Sequence, residues 1–197
     1  MASRKVLGKT WWGKAWLAAL NGCDYQNRLP RGKTYFNQGH LIDIEWTPAE
    51  HVVTALVEGS QYYPYEVTVG LKPMPSAEAE RLVDEIAQNA DWVAALMDHQ
   101  LPPEIGQLCE KLHINLFPRS MRDIEVSCTC PDSAVICKHV ACVIYALSEI
   151  IDRNPFVIFE LKQVDLPELL KAKGVHLSQK PKERALTIEA VLKAIED

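Results

Sequence analysis

The hydrophobic period of this chain changes several times along its length. Over residues 10–20 Trp12, Trp16, Leu17 and Leu20 recur at helical spacing, with Thr10 placed to cap and Asn21-Gly22 to stop the helix. Arg28 to Lys33, with Pro30 and Gly32 between, reads as a basic loop. From Thr34 to Leu71 the period becomes two. Thr34–Phe36, His40–Trp46, Val52–Glu58 and Tyr62–Val69 read as strands, punctuated by Asn37-Gln38-Gly39, Thr47-Pro48 and Gly59-Ser60. In the last of them Tyr63, Tyr65, Val67 and Val69 share a face. Connections this short imply an antiparallel meander.

After Lys72-Pro73-Met74-Pro75 the period returns to 3.6. Leu82, Val83, Ile86, Ala90, Val93, Ala94 and Met97 form one stripe, opened by Ser76 and divisible near Asn89. Pro102-Pro103 starts a helix carrying Ile105, Leu108, Cys109 and Leu112, with Pro118 as its end. Asp123–Ser127 is short and extended. Val140, Val143, Ile144, Leu147, Ile150 and Ile151 stripe a helix running to about Asp152, stopped by Asn154-Pro155. Phe156–Leu161 is apolar enough to return to the core, and a short helix from Asp165 or Leu166 ends at Gly174. Residues 175–183 form a polar linker. Leu186, Ile188, Val191, Leu192 and Ile195 give a last amphipathic helix, which either folds back or docks in a partner's groove. The expected class is α+β. Its parts are a helix and antiparallel sheet over 1–72, a helical region over 73–118, a finger with following helices over 119–174, and a linker and terminal helix over 175–197.

One cluster stands out chemically. Cys128, Cys130, Cys137 and His139 fall within twelve positions as C-x-C-x6-C-x-H. Three thiols and an imidazole make one tetrahedral ligand set for Zn2+. Cys137 and His139 open the following helix, whose N-terminal dipole favours thiolates. Four protein ligands leave no open position for water, so the site reads as structural. An iron–sulfur cluster would need a fourth cysteine, for which only Cys142 is near.

The cluster and the apolar helix behind it resemble the SWIM zinc finger. The front of the chain is similar to small stand-alone prokaryotic SWIM proteins. It carries Trp11-Trp12-Gly13-Lys14-Ala15-Trp16, Arg31-Gly32-Lys33-Thr34-Tyr35 and Val57-Glu58-Gly59-Ser60-Gln61-Tyr62-Tyr63. The resemblance implies a SWIM finger with zinc on Cys128, Cys130, Cys137 and His139. It further implies DNA or protein binding, in company with a Swi/Snf-like ATPase or the transcription machinery.

Charge adds a location. Residues 1–35 hold seven Lys or Arg against Asp24 alone, while the whole chain carries −5, so the remainder is strongly acidic. Lys9, Lys14, Arg28, Arg31 and Lys33 are the candidate contacts to DNA or RNA, with Trp11, Trp12, Trp16 and Tyr35 among them. Tryptophans at helical spacing also serve as core anchors, which is the reading taken for Trp12 and Trp16. His40, His51, His99, His113 and His176 are scattered, with no carboxylate or nucleophile partner at a recognisable spacing, and Cys23 and Cys109 have no histidine motif nearby. No phosphate-binding glycine motif occurs. The expectation is therefore a non-enzymatic accessory protein binding nucleic acid, without a small-molecule substrate. The alternative is a protein-interaction adaptor whose zinc is purely structural. No apolar run suits a membrane span and the first residues lack a secretory core, so a cytoplasmic location is expected.

Overall fold

A computed structural model describes residues 6–20, 27–47 and 49–176. The expected terminal helix, Cys23, Arg4 and Lys5 lie outside the described residues. Helix α1 (Trp11–Ala18) begins at Thr10, whose side chain accepts from the Gly13 N–H. Helix α2 (Arg28–Asn37) follows, then strands β1 (Leu41–Thr47), β2 (Val52–Val57) and β3 (Tyr65–Leu71). Three helices come next: α3 (Ser76–Ala87), α4 (Ala90–Met97) and α5 (Pro103–Lys111). A 3-10 turn (Met121–Asp123) leads into β4 (Ile124–Cys128), and α6 (Lys138–Arg153), α7 (Phe156–Leu161) and α8 (Leu166–Ala172) close the order.

Four expectations are corrected. Arg28 to Lys33 is not a loop and Thr34–Phe36 is not a strand, since both lie in α2. Pro30 is tolerated there because it occupies the first turn, where its N–H would have no partner. The last strand starts at Tyr65, so Tyr63 does not share its buried face and is 75% exposed. The helix from Pro103 closes at Lys111 rather than at Pro118, through His113 in a left-handed turn.

The sheet is antiparallel throughout, in the order β1-β2-β3-β4. Its register aligns Ile44, Ala55, Val67 and Cys128 in one row and Glu45, Thr54, Thr68 and Ser127 in the next. The first row faces the core. The second faces outward with the exposed Glu66 and Glu125. One buried and one solvated face is the usual economy of an antiparallel sheet.

Helix α6 is the centre of the molecule. Val140 to Ile144 and Ala146 to Ile151 are buried, and α1, α2, α7 and three strands pack on it. Helix α1 is joined to it by polar contacts inside the core. Trp12 Nε1 donates to the Ile151 carbonyl at 2.8 Å, and Trp16 Nε1 donates to the Ile144 carbonyl at 3.0 Å. Both tryptophans are core anchors, at 5% and 0% exposure. Trp11 donates to the Leu101 carbonyl at 2.7 Å, which ties α1 to the segment before α5.

Asp152, near the end of α6, receives the N–H groups of Lys9 and Thr10, each at 2.9 Å, and the Thr10 hydroxyl. A Cβ on Gly13 would stand 2.0 Å from Asp152 Oδ1, so glycine is what lets α1 come this close. Asp152→Ala leaves three donors without their acceptor. It should lower stability by about 2–3 kcal/mol, read as a shifted urea midpoint with an unchanged slope.

Candidate metal centre

Strand alternation aims Cys128 inward. In β4, Ile124, Val126 and Cys128 lie on the core side, while Glu125 and Ser127 are exposed. The pairing continues one residue further, with the Thr129 N–H on the Glu66 carbonyl and the Glu66 N–H on Thr129 Oγ1, both at 3.0 Å. That brings Cys130 round toward the same side. Asp132 turns the chain by accepting the Ala134 N–H at 3.1 Å, and buried Ile136 seats the returning segment. Cys137 is then the N-cap of α6, its sulfur accepting the Val140 N–H at 3.4 Å, and His139 follows in the first turn.

The four ligand atoms lie within 4.8 Å of one another. His139 Nδ1 is 3.7 Å from the Cys137 sulfur and 3.9 Å from the Cys128 sulfur. A tetrahedron with Zn–S near ~2.3 Å and Zn–N near ~2.0 Å has edges of about 3.5–3.8 Å, so the donor set fits zinc. The cysteines of the cluster are free thiols. Hydrogen bonding from Cys128 is the main cause that holds the Cys137 thiol down to about 4; burial opposes it, and His139 and the Val140 N–H assist. Cys128 is pushed up, first by sharing its proton with Cys137 and then by burial. Burial also raises Cys130. One thiolate is thus already favoured, and a divalent cation displaces the other protons as it binds. The residues that would hold zinc are Cys128, Cys130, Cys137 and His139, and what it supplies is a cross-link between β4 and α6.

Cys142 is not part of the cluster. It is fully buried on α6, and burial pushes its thiol up to about 12, as it does for Cys109. That removes the fourth cysteine an iron–sulfur cluster would need.

The cationic candidates divide. Lys9, Lys14 and Arg31 are exposed and Lys33 is half-buried. Arg28 is engaged within the protein, with Nε and Nη2 on the two Asp132 oxygens at 3.1 and 3.0 Å. The pair holds Asp132 below the usual carboxylate range. The indole nitrogens of Trp11, Trp12 and Trp16 are committed to internal carbonyls; Trp12 and Trp16 are buried, and Trp11 is half-buried beside Phe117. Tyr35 stacks on His40 at 4.3 Å and meets the His139 ring edge-on at 5.7 Å. Lys138 donates to the Tyr35 hydroxyl and lies 4.3 Å over its ring.

The contacts around the finger were not visible in spacing alone. Helix α2 touches it at both ends, through Arg28 on Asp132 and Tyr35 on His139. Between them Gly32 lies against Ala141. The signal was present as Arg31-Gly32-x-x-Tyr35, whose glycine and tyrosine fall on one side of a helix at i and i+3.

Residues 113–148 match the SWIM zinc finger family. The chain is also 32% identical over 169 residues to uncharacterized protein Rv2102 of Mycobacterium tuberculosis (strain ATCC 25618 / H37Rv). That match covers 86% of this chain and 60% of the relative, so the chain spans less than two thirds of the relative's length. No solved structure matches the chain. With the ligand geometry, the family match makes the Cys3His cluster a SWIM zinc finger. Among the described residues no helix is long and apolar enough to cross a membrane.

Proposed function

We propose that this SWIM finger protein is a nucleic-acid-binding accessory factor, with its zinc as a fastener and its contact surface on the cationic side of α1 and α2. One observation carries the reading. Neither helix contains an acidic residue, while Lys9, Lys14 and Arg31 stand exposed on or beside them. Trp12 and Trp16 are buried in the core, so binding on this surface runs chiefly through phosphates rather than base stacking. The acidic outer sheet face orients the molecule by repulsion. Four protein ligands would leave a zinc ion no open position, so the metal itself would take no part in chemistry. A Swi/Snf-like ATPase or a transcription complex is the partner that would supply activity.

The test is fluorescence anisotropy of the zinc-loaded protein with single- and double-stranded DNA and RNA across a salt series. Contacts from Lys9, Lys14 and Arg31 should give a log–log slope of about −2 to −3. Lys14→Glu with Arg31→Glu should flatten that slope by about two and weaken all sequences alike. If the zinc-loaded protein binds nothing at low salt, the reading fails.

A second reading has its own support. Tyr62 and Tyr63, at 93% and 75% exposure, and Val135 at 71%, stand on the two loops that lead to Tyr65 and Cys137. Exposed aromatics suit a protein contact. An adaptor using this end of the finger would retain its partner after nuclease treatment and lose it on Tyr62→Ser with Tyr63→Ser.

A further inference from the structure

Metal-bound histidines are ordinarily oriented by a hydrogen bond from the second ring nitrogen to a carboxylate, carbonyl or water. Among the described residues His139 has no such partner. Its Nδ1 faces the sulfurs, the residue is 3% exposed, and Nε2 is buried without a hydrogen-bond acceptor. Something else must fix the ring.

Rings do surround it. Tyr65 lies over the imidazole at 4.5 Å between centroids, tilted by 40°. Tyr35 closes from α2 at 5.7 Å and 69°. Gly59 backs Nε2 closely: a Cβ there would come 3.1 Å from it and 2.2 Å from Tyr65 Cε2. Tyr35 is itself held from two sides, by the stacked His40 ring and by Lys138, which precedes His139 in the chain. At the other end of α2, Arg28 fixes Asp132 inside the ligand loop.

We propose that Tyr35 is a positioning residue of the zinc centre, and that with Tyr65 it brackets the His139 ring in place of the missing hydrogen bond. Helix α2 is then the outer wall of the metal site, and the Arg-Gly-x-x-Tyr segment belongs functionally to a finger about a hundred residues further on. The tyrosine's work is done by its ring face and edge, not by its hydroxyl. An imidazole free to rotate away from the sulfurs releases its metal sooner.

The experiment compares wild type, Tyr35→Leu, Tyr35→Phe and Arg28→Ala as full-length proteins. Two readouts are taken: zinc transfer to a chromogenic chelator, and the visible d–d bands after substitution with Co2+. Tyr35→Leu keeps an apolar filler but no ring. It should weaken zinc roughly 10–100-fold, the usual scale for outer-shell partners, and shift or broaden the cobalt bands. Tyr35→Phe should match wild type in both. Arg28→Ala removes a half-buried side chain that stands on Asp132; it should speed zinc transfer without moving the bands, because it frees the loop but not the imidazole. Wild-type affinity and bands in Tyr35→Leu would overturn the proposal. So would equal losses in Tyr35→Phe and Tyr35→Leu, which would assign the effect to the hydroxyl and Lys138. Should Tyr35→Leu fail to fold, Tyr35→Phe bands displaced from wild type would overturn it and unshifted bands would support it.

Discussion

Cys137→Ser is expected to abolish zinc binding and lower the melting temperature by about 10–20 °C. Two roles converge on this sulfur. It is a metal ligand, and it caps the helix on which the rest of the described structure rests. Loss of a structural metal belongs to the few changes costing more than about 4–5 kcal/mol, and in a chain this long each kcal/mol moves the midpoint by roughly 2–4 °C. A serine hydroxyl can still cap α6, so the measured loss reports mainly the metal. Removing zinc from the wild type with a strong chelator should reproduce most of it. Calorimetry with and without chelator decides: an unmoved transition would mean that the finger is not a fastener. Proteolysis should locate the first opening between residues 128 and 138, because α6 itself is held by α1, α2 and the sheet.

The second large effect belongs to a residue with no side chain. A Cβ on Gly32 would stand 2.3 Å from the Ala141 Cβ, 2.9 Å from the Lys138 carbonyl oxygen and 3.0 Å from the Cys142 nitrogen. Two of those are backbone atoms of the central helix and cannot rotate away. Gly32→Ala should therefore cost about 3 kcal/mol, the upper end of overpacking, and Gly32→Val more. The double variant Gly32→Ala, Ala141→Gly removes the nearest obstacle and should recover part of the loss, despite about 1 kcal/mol of lost helix propensity at position 141. A non-additive cycle in urea denaturation is the expected signature. Strictly additive losses would show that α2 does not approach α6 this closely.

Much of the architecture was legible because local and tertiary preferences agree. Thr10, Asn89 and Asp165 cap the helices that the apolar period places beside them. The meander follows from period-two runs with short turns, and the ligand set from chemistry that only a metal explains. Helix α2 was not legible. Pro30 and Gly32 break helices in isolation, and Thr34, Tyr35 and Phe36 favour strands. What overrides them is burial: Gly32 and Phe36 face α6, and Thr34 Oγ1 donates back to the Pro30 carbonyl at 3.0 Å. The period of a ten-residue segment cannot reveal that its glycine is needed by a partner a hundred residues away. The same holds for the aromatic front. Its spacing indicated core, but the acceptors on α6 that engage the indole nitrogens of Trp12 and Trp16 could come only from the fold.

The bonds from α1 and the two residues before it to α6 span 128 to 143 positions of sequence. Chain elongation runs at ~5–20 residues per second, so α1 leaves the ribosome on the order of ten seconds before its partners exist. During that interval three indoles and a helix too short to persist alone are exposed to solvent. Completion of the protein is thus timed by its C-terminal half: a nascent chain halted before residue 138 should present α1 to proteases and holdases, and emergence of residue 153 from the ribosome should withdraw it.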